Sequence, residues 1–136
     1  MPLIEGTLVI VAVDTNILIY WLNSQSRFHS QATDFLRSSI DQGHSLICST
    51  LVVTELLSKK GSSIESVNEL PIKWVVPDKA IAQKAGLLRQ LYSGLKTPDA
   101  IHVATAIAAK ADRFITNDRL IMSIKEIDGT LISALK

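Results

Sequence analysis

The feature that most limits how this chain folds is an unbroken apolar run at residues 8–13, LVIVAV, that ends on Asp14. It is too short to cross a bilayer, which needs about 20 apolar residues in a helix. It also lacks the polar alternation of a strand with one wet face. Its β-branched content and length predict a strand buried on both faces, as in a parallel sheet covered by helices. Similar short runs recur at 46–49, 73–76, 113–116 and 130–135, giving five predicted strands.

Segments with helical spacing lie between the strands, at 17–22, 28–42, 51–59, 81–92, 98–110 and 119–126, with a weaker one at 64–70. Asp78 is placed to cap the 81–92 helix, and Thr97 with Pro98 opens the next. Gly43, Gly61 and Gly94 follow helix ends. Strands that alternate with helices require crossovers that pack back onto the sheet. The predicted class is therefore α/β, three layers, with a five-stranded, mostly parallel sheet flanked by helices.

At 136 residues, with no repeat, low-complexity tract or Pro- or Ser-rich linker, residues 1–136 read as a single domain. The apolar share of 47% and charged share of 20% are those of a globular chain. Formal net charge is +1, so no broad basic field draws in nucleic acid, and a phosphate-bearing substrate must be held by local groups. Cys48 is the only cysteine, which excludes an intrachain disulfide and a thiolate metal cluster and suits a reducing cytoplasm. Residues 1–7 hold Glu5 and no Lys or Arg, so neither a signal peptide nor a membrane anchor is expected.

In parallel α/β folds, functional groups project from the carboxyl ends of the strands, near the point where strand order reverses. Asp14 directly follows the first predicted strand and Asp118 follows the fourth by two residues. Glu55 lies just into the helix after the second strand. Asp99 lies in the first turn of the helix that leads into the fourth. Each acid has a local explanation as well: Asp14 and Asp118 as helix caps, Asp99 as a charge favoured at a helix N-terminus. Glu55 differs, because Val52, Val53, Leu56 and Leu57 predict a mostly buried helix on which an unpaired carboxylate is costly. Four carboxylates in one crevice repel one another unless a cation neutralises them. The hard oxygen donors point to Mg²⁺ or Mn²⁺.

With these residues in view, the chain resembles the PIN domain family, in particular the VapC-like toxin ribonucleases. The resemblance rests on Val-Asp-Thr-Asn at 13–16, Thr-Glu-Leu at 54–56, Thr-Pro-Asp-Ala-Ile-His-Val-Ala-Thr-Ala at 97–106 and Phe-Ile-Thr-Asn-Asp at 114–118, in that order and spacing. It implies a site built from Asp14, Glu55, Asp99 and Asp118 and Mg²⁺- or Mn²⁺-dependent hydrolysis of RNA. Asn16 and Thr116 match its supporting polar positions. It further implies a homodimer and a small antitoxin whose tail packs near the site. Asp14, Asp99 and Asp118 are assigned as metal ligands, and Glu55 as a ligand through water or an orienter of the nucleophile. The thirteen residues before Asp14 exceed those of compact members, and 1–6 read as a short extra arm.

Other side chains receive plainer readings. His102, three residues after Asp99, is expected to pack inside and bond a carbonyl, and His29 and His44 to lie on the surface. Lys96 and Arg119 read as solvated charges, and Tyr20, Trp21 and Phe28 as core. A phosphatase of the haloacid-dehalogenase type would need a second Asp two positions after Asp14, where Asn16 stands. The remaining alternatives are a non-catalytic module on the same fold and an RNA-processing nuclease without an antitoxin.

Overall fold

The computed structural model describes residues 8–135; the predicted arm at 1–6 lies outside the described residues. The elements in chain order are β1 (Ile10–Val13), α1 (Thr15–Leu22), α2 (His29–Asp41), β2 (Ser45–Ser49), α3 (Leu51–Leu57), α4 (Ile64–Asn68), β3 (Lys73–Val75), α5 (Lys79–Leu91), α6 (Thr97–Ala108), β4 (Arg113–Thr116), α7 (Arg119–Met122) and β5 (Gly129–Leu131). The strands form one sheet in the order β3-β2-β1-β4-β5, every pair parallel.

The lack of polar alternation in the strand sequences follows from this arrangement. In β1, Val11 and Val13 face one side with Leu46, Cys48 and Ile115; Ala12 faces the other with Ile47 and Phe114. The first face packs on α1 to α4 through Ile17, Leu18, Leu36, Val52, Leu56 and Val67, and the second on α5 to α7 through Ala85, Leu88, Val103 and Ile121. Both faces of a central strand must therefore be apolar. A side chain such as Leu36 or Phe114, at most 1% exposed, contributes about 1.5–3 kcal/mol by leaving water.

Helix punctuation matches the sequence reading. Asp78 Oδ1 accepts a hydrogen bond from Ile81 N at 2.9 Å, and Pro98 sits in the first turn of α6. Gly43, at φ 83°, takes the left-handed conformation that turns the chain from α2 into β2.

Most element ends lie within two residues of expectation, and three boundaries have a clear physical cause. β1 begins at Ile10 because Leu8 is exposed and Val9 N is taken by His44 Nδ1 at 3.1 Å. The 119–126 helix stops at Met122, and the chain turns there so that Gly129 can join the sheet. A Cβ on Gly129 would come within 3.3 Å of the Met122 backbone. The 130–135 strand is reduced to Gly129–Leu131 and passes into a 3-10 turn, Ile132–Ala134, that buries Ile132 in the core. Among the described residues, no helix is long and apolar enough to cross a membrane.

Candidate active site

β1 runs beside β2 on one side and β4 on the other, so strand order reverses between β1 and β4 and a crevice opens at their carboxyl ends. Asp14 N continues the ladder to Ile115 O at 3.3 Å, after which the chain bends into α1. Asp14 Oδ1 caps that helix by accepting from Ile17 N at 3.2 Å, and Oδ2 accepts from Thr116 Oγ1 at 2.6 Å. Thr116, the last residue of β4, is fully buried. Its hydroxyl oxygen in turn accepts from Asp118 N at 3.0 Å, and Asp118 Oδ1 caps α7 through Leu120 N at 2.9 Å. One threonine thus links the aspartates that follow the two central strands.

Across the crevice, α3 presents Glu55 and α6 presents Asp99 and His102. Glu55 Oε1 accepts from Thr15 Oγ1 at 2.6 Å and pairs with His102 Nε2 at 2.6 Å. Asp14, Thr15, Asn16, Ile19, Glu55, Ser58, Lys59, Asp99, His102 and Asp118 line one cavity of about 390 Å³. Residues from four separated stretches of chain meet there, and all four predicted acids are among them.

The electrostatics follow from that crowding. Burial pushes the Asp14 carboxyl from 3.8 up to about 6; hydrogen bonds from Thr116 and Ile17 oppose the rise, and the charges of Asp99 and Asp118 add to it. Asp99 is also raised, first by burial, then by Asp118 and Glu55, with His102 and Lys96 pulling the other way. The arrangement disfavours its own full ionisation, and a cation among the acids relieves it. Hard carboxylate oxygens beside an open space with room for several waters fit Mg²⁺ or Mn²⁺, which keep several waters and take one or two carboxylates directly. Among the described residues, no three His, Cys, Asp or Glu side chains stand as a preformed ligand cluster. Asp14, Asp99 and Asp118 therefore line a common space without forming a closed cage.

The other sequence assignments fall as follows. Asn16 is exposed on the cavity rim, whereas Thr116 lies behind Asp14 and is not part of the lining. Glu55 was expected on a mostly buried helix, but its side chain is 34% exposed and α3 buries only Val52 and Leu56 fully. Thr15, His102 and solvent together meet the hydrogen-bonding needs of its carboxyl group. His102 does not bond a carbonyl as expected; it is buried and bonds Glu55. His29 and His44 are half-buried rather than superficial, His29 Nδ1 bonding Tyr20 O at 2.9 Å and His44 accepting from Val9 N. Lys96 and Arg119 are exposed outside the cavity lining. Tyr20, Trp21 and Phe28 pack against the core, with the Tyr20 and Phe28 rings 5.3 Å apart. Thr15, Ser58 and Lys59 were not singled out in the sequence. Only Thr15, lodged between Asp14 and Asn16, carried any local signal.

Comparison with known proteins gives one consistent result. No curated protein sequence matches the chain. Among solved structures, VapBC2 from Rickettsia felis, bound to a DNA fragment from its promoter, aligns with TM-score 0.71 at 18% identity, covering 90% of this chain and 98% of that one. A toxin–antitoxin complex from Klebsiella pneumoniae aligns with TM-score 0.62 at 26% identity, over 86% and 94%. The sarcin-ricin loop cleaving toxin VapC20 of Mycobacterium tuberculosis aligns with TM-score 0.66 at 16% identity, over 87% and 98%. The PIN domain family matches residues 11–127, and with the all-parallel five-stranded sheet and the acidic crevice at its switch point, the chain belongs to that family.

Proposed function

We propose that this protein is a Mg²⁺- or Mn²⁺-dependent endoribonuclease and the toxin of a toxin–antitoxin pair. The observation that carries the chemistry is the convergence of Asp14, Glu55, Asp99 and Asp118 on one cavity at the strand-order switch. The toxin assignment is supported by the likeness to toxin–antitoxin complexes, the one from Klebsiella pneumoniae being 26% identical. RNA as substrate is supported by the likeness to a toxin described as cleaving the sarcin-ricin loop.

When bound, a divalent ion supplies a more acidic water and neutralises charge on the phosphoryl and leaving oxygens. Asp14 is the first residue to hold it. Its carboxylate is fixed from both sides, by the α1 amide and by Thr116, and a fixed orientation is what a ligand carboxylate needs. Asp118, tied to the same threonine through its backbone, and Asp99 complete the acidic wall as direct or water-mediated partners. Glu55, on the opposite wall, orients the attacking water and takes up its proton. Lys59, which also lines the cavity, offers the substrate phosphate a positive charge that the chain's overall charge does not provide. In this reading the protein works in the cytoplasm, as a homodimer, under control of a small antitoxin.

The test is cleavage of a mixed RNA pool with Mg²⁺, Mn²⁺ or EDTA, beside Asp14→Ala and matched single-stranded DNA. Cutting of RNA that needs the ion and disappears in the variant is the expected result. Folded, antitoxin-free protein that cuts nothing with either ion would overturn the reading, and DNA cut as fast as RNA would remove its RNA specificity.

A further inference from the structure

Glu55 is the one acid of the four that two side chains clamp through a single oxygen. Thr15 Oγ1 and His102 Nε2 both lie 2.6 Å from Oε1, while among the described residues no hydrogen bond reaches Oε2. We propose that His102 is a positioning residue: with Thr15 it pins Oε1 of Glu55, so that Oε2 alone is left to serve the water and substrate in the cavity. The inference rests on the nuclease reading above.

An ionised carboxylate only accepts hydrogen bonds, so His102 must carry a proton on Nε2. Its other ring nitrogen, Nδ1, faces Ser49 Oγ at 3.5 Å, and that oxygen already accepts from Leu51 N at 3.1 Å. The Ser49 hydroxyl proton is therefore free to point at Nδ1. A chain of hydrogen bonds results, from the α3 amide through Ser49 and the imidazole to Glu55. The chain is held by packing, because Ser49, His102 and Thr15 are all less than one-tenth exposed. Glu55 itself sits on a short helix and is a third exposed. Without the clamp its two oxygens could exchange places by rotation about the terminal bond. A base or water-orienter that alternates between oxygens spends part of its time in the wrong geometry, and a fixed one does not.

His102→Leu keeps similar bulk and removes the donor; His102→Gln returns an amide N–H at about the reach of Nε2. The expected result is a fall in kcat of about 10- to 100-fold in His102→Leu, with KM for RNA changed by less than about twofold and with kcat recovered in His102→Gln. In a Glu55→Gln background, His102→Leu should cost little more, because both changes remove one interaction. Nitrogen NMR of the ion-free protein reads the pairing without activity: Nε2 protonated, and its signal disturbed in Glu55→Gln. Wild-type kcat in His102→Leu, or a bare Nε2, would overturn the inference. So would equal losses in the Leu and Gln variants together with a raised KM, which would mark a packing role. Wild-type protein that cuts no RNA while the NMR pattern stands would overturn the nuclease reading and the catalytic role drawn from it, leaving only the pairing.

Discussion

Asp14 is placed where its charge is costly, and the cost can be measured. Its carboxyl rises from 3.8 to about 6 on folding; a group whose folded pKa is raised favours the native state when protonated. That contribution is complete below the unfolded value and is lost as pH climbs through the folded one. A shift of about two units corresponds to about 3 kcal/mol at pH 7.5. Asp14→Asn removes the charge and keeps the cap, since the Asn carbonyl can still accept from Ile17 N. The amide that replaces Oδ2 no longer accepts from Thr116, a loss of about 1 kcal/mol. The net expectation, in EDTA at pH 7.5, is that the variant is more stable by about 2 kcal/mol, or about 7 °C in Tm for a domain of this size. The assay is thermal unfolding by circular dichroism from pH 3.5 to 8, with and without Mg²⁺. At the acid end the charge no longer counts and the variant should be the less stable by about 1 kcal/mol; it should overtake the wild type between pH 4 and 6 and level off above. Mg²⁺ should then stabilise the wild type more than the variant, which keeps Asp99 and Asp118 but lacks the Asp14 carboxylate. A variant with equal or lower Tm at pH 7.5 in EDTA, or a difference independent of pH, would refute the reasoning.

Thr116→Val removes both bonds of the threonine hydroxyl, to Asp14 Oδ2 and from Asp118 N. It should destabilise by about 1–3 kcal/mol and carry the acid limb of the pH–rate profile to higher pH, since the lost bond holds Asp14 down; chemical denaturation and the profile check the two parts. Cys48 is 3% exposed, donates to Val13 O at 3.3 Å, and burial pushes its thiol well up. A disulfide reagent at pH 8 should therefore leave the native protein unmodified and label it once in denaturant.

The choice between a local and a functional role for the aspartates dissolves in the structure. Asp14 and Asp118 each cap a helix and line the cavity. In a parallel sheet the helix that follows a strand starts at the strand's carboxyl end, which is also where the crevice opens. The same carboxylate satisfies the first-turn amides and faces the site. A capping signal after a buried strand is therefore a pointer to the site and no argument against it.

The sequence by itself determined the α/β class, the five strands and most of their bounds, the caps at Asp78 and Pro98, and the four acids on one edge. These depend on local periodicity and on what directly follows each strand, information carried within a few residues. The strand order, and with it the reversal between β1 and β4, came only from the tertiary structure, because continuous apolar runs are interchangeable as far as period is concerned. The three-residue β5 and the curtailed α7 were likewise decided by packing around Gly129 and Ile132, which hydrophobic pattern does not encode. The role of Thr116 as the link between two aspartates, and the pairing of His102 with Glu55, join residues 102 and 47 positions apart. Such partners are chosen by how the sheet and helices close on one another, and a chain read along its length holds no measure of that distance.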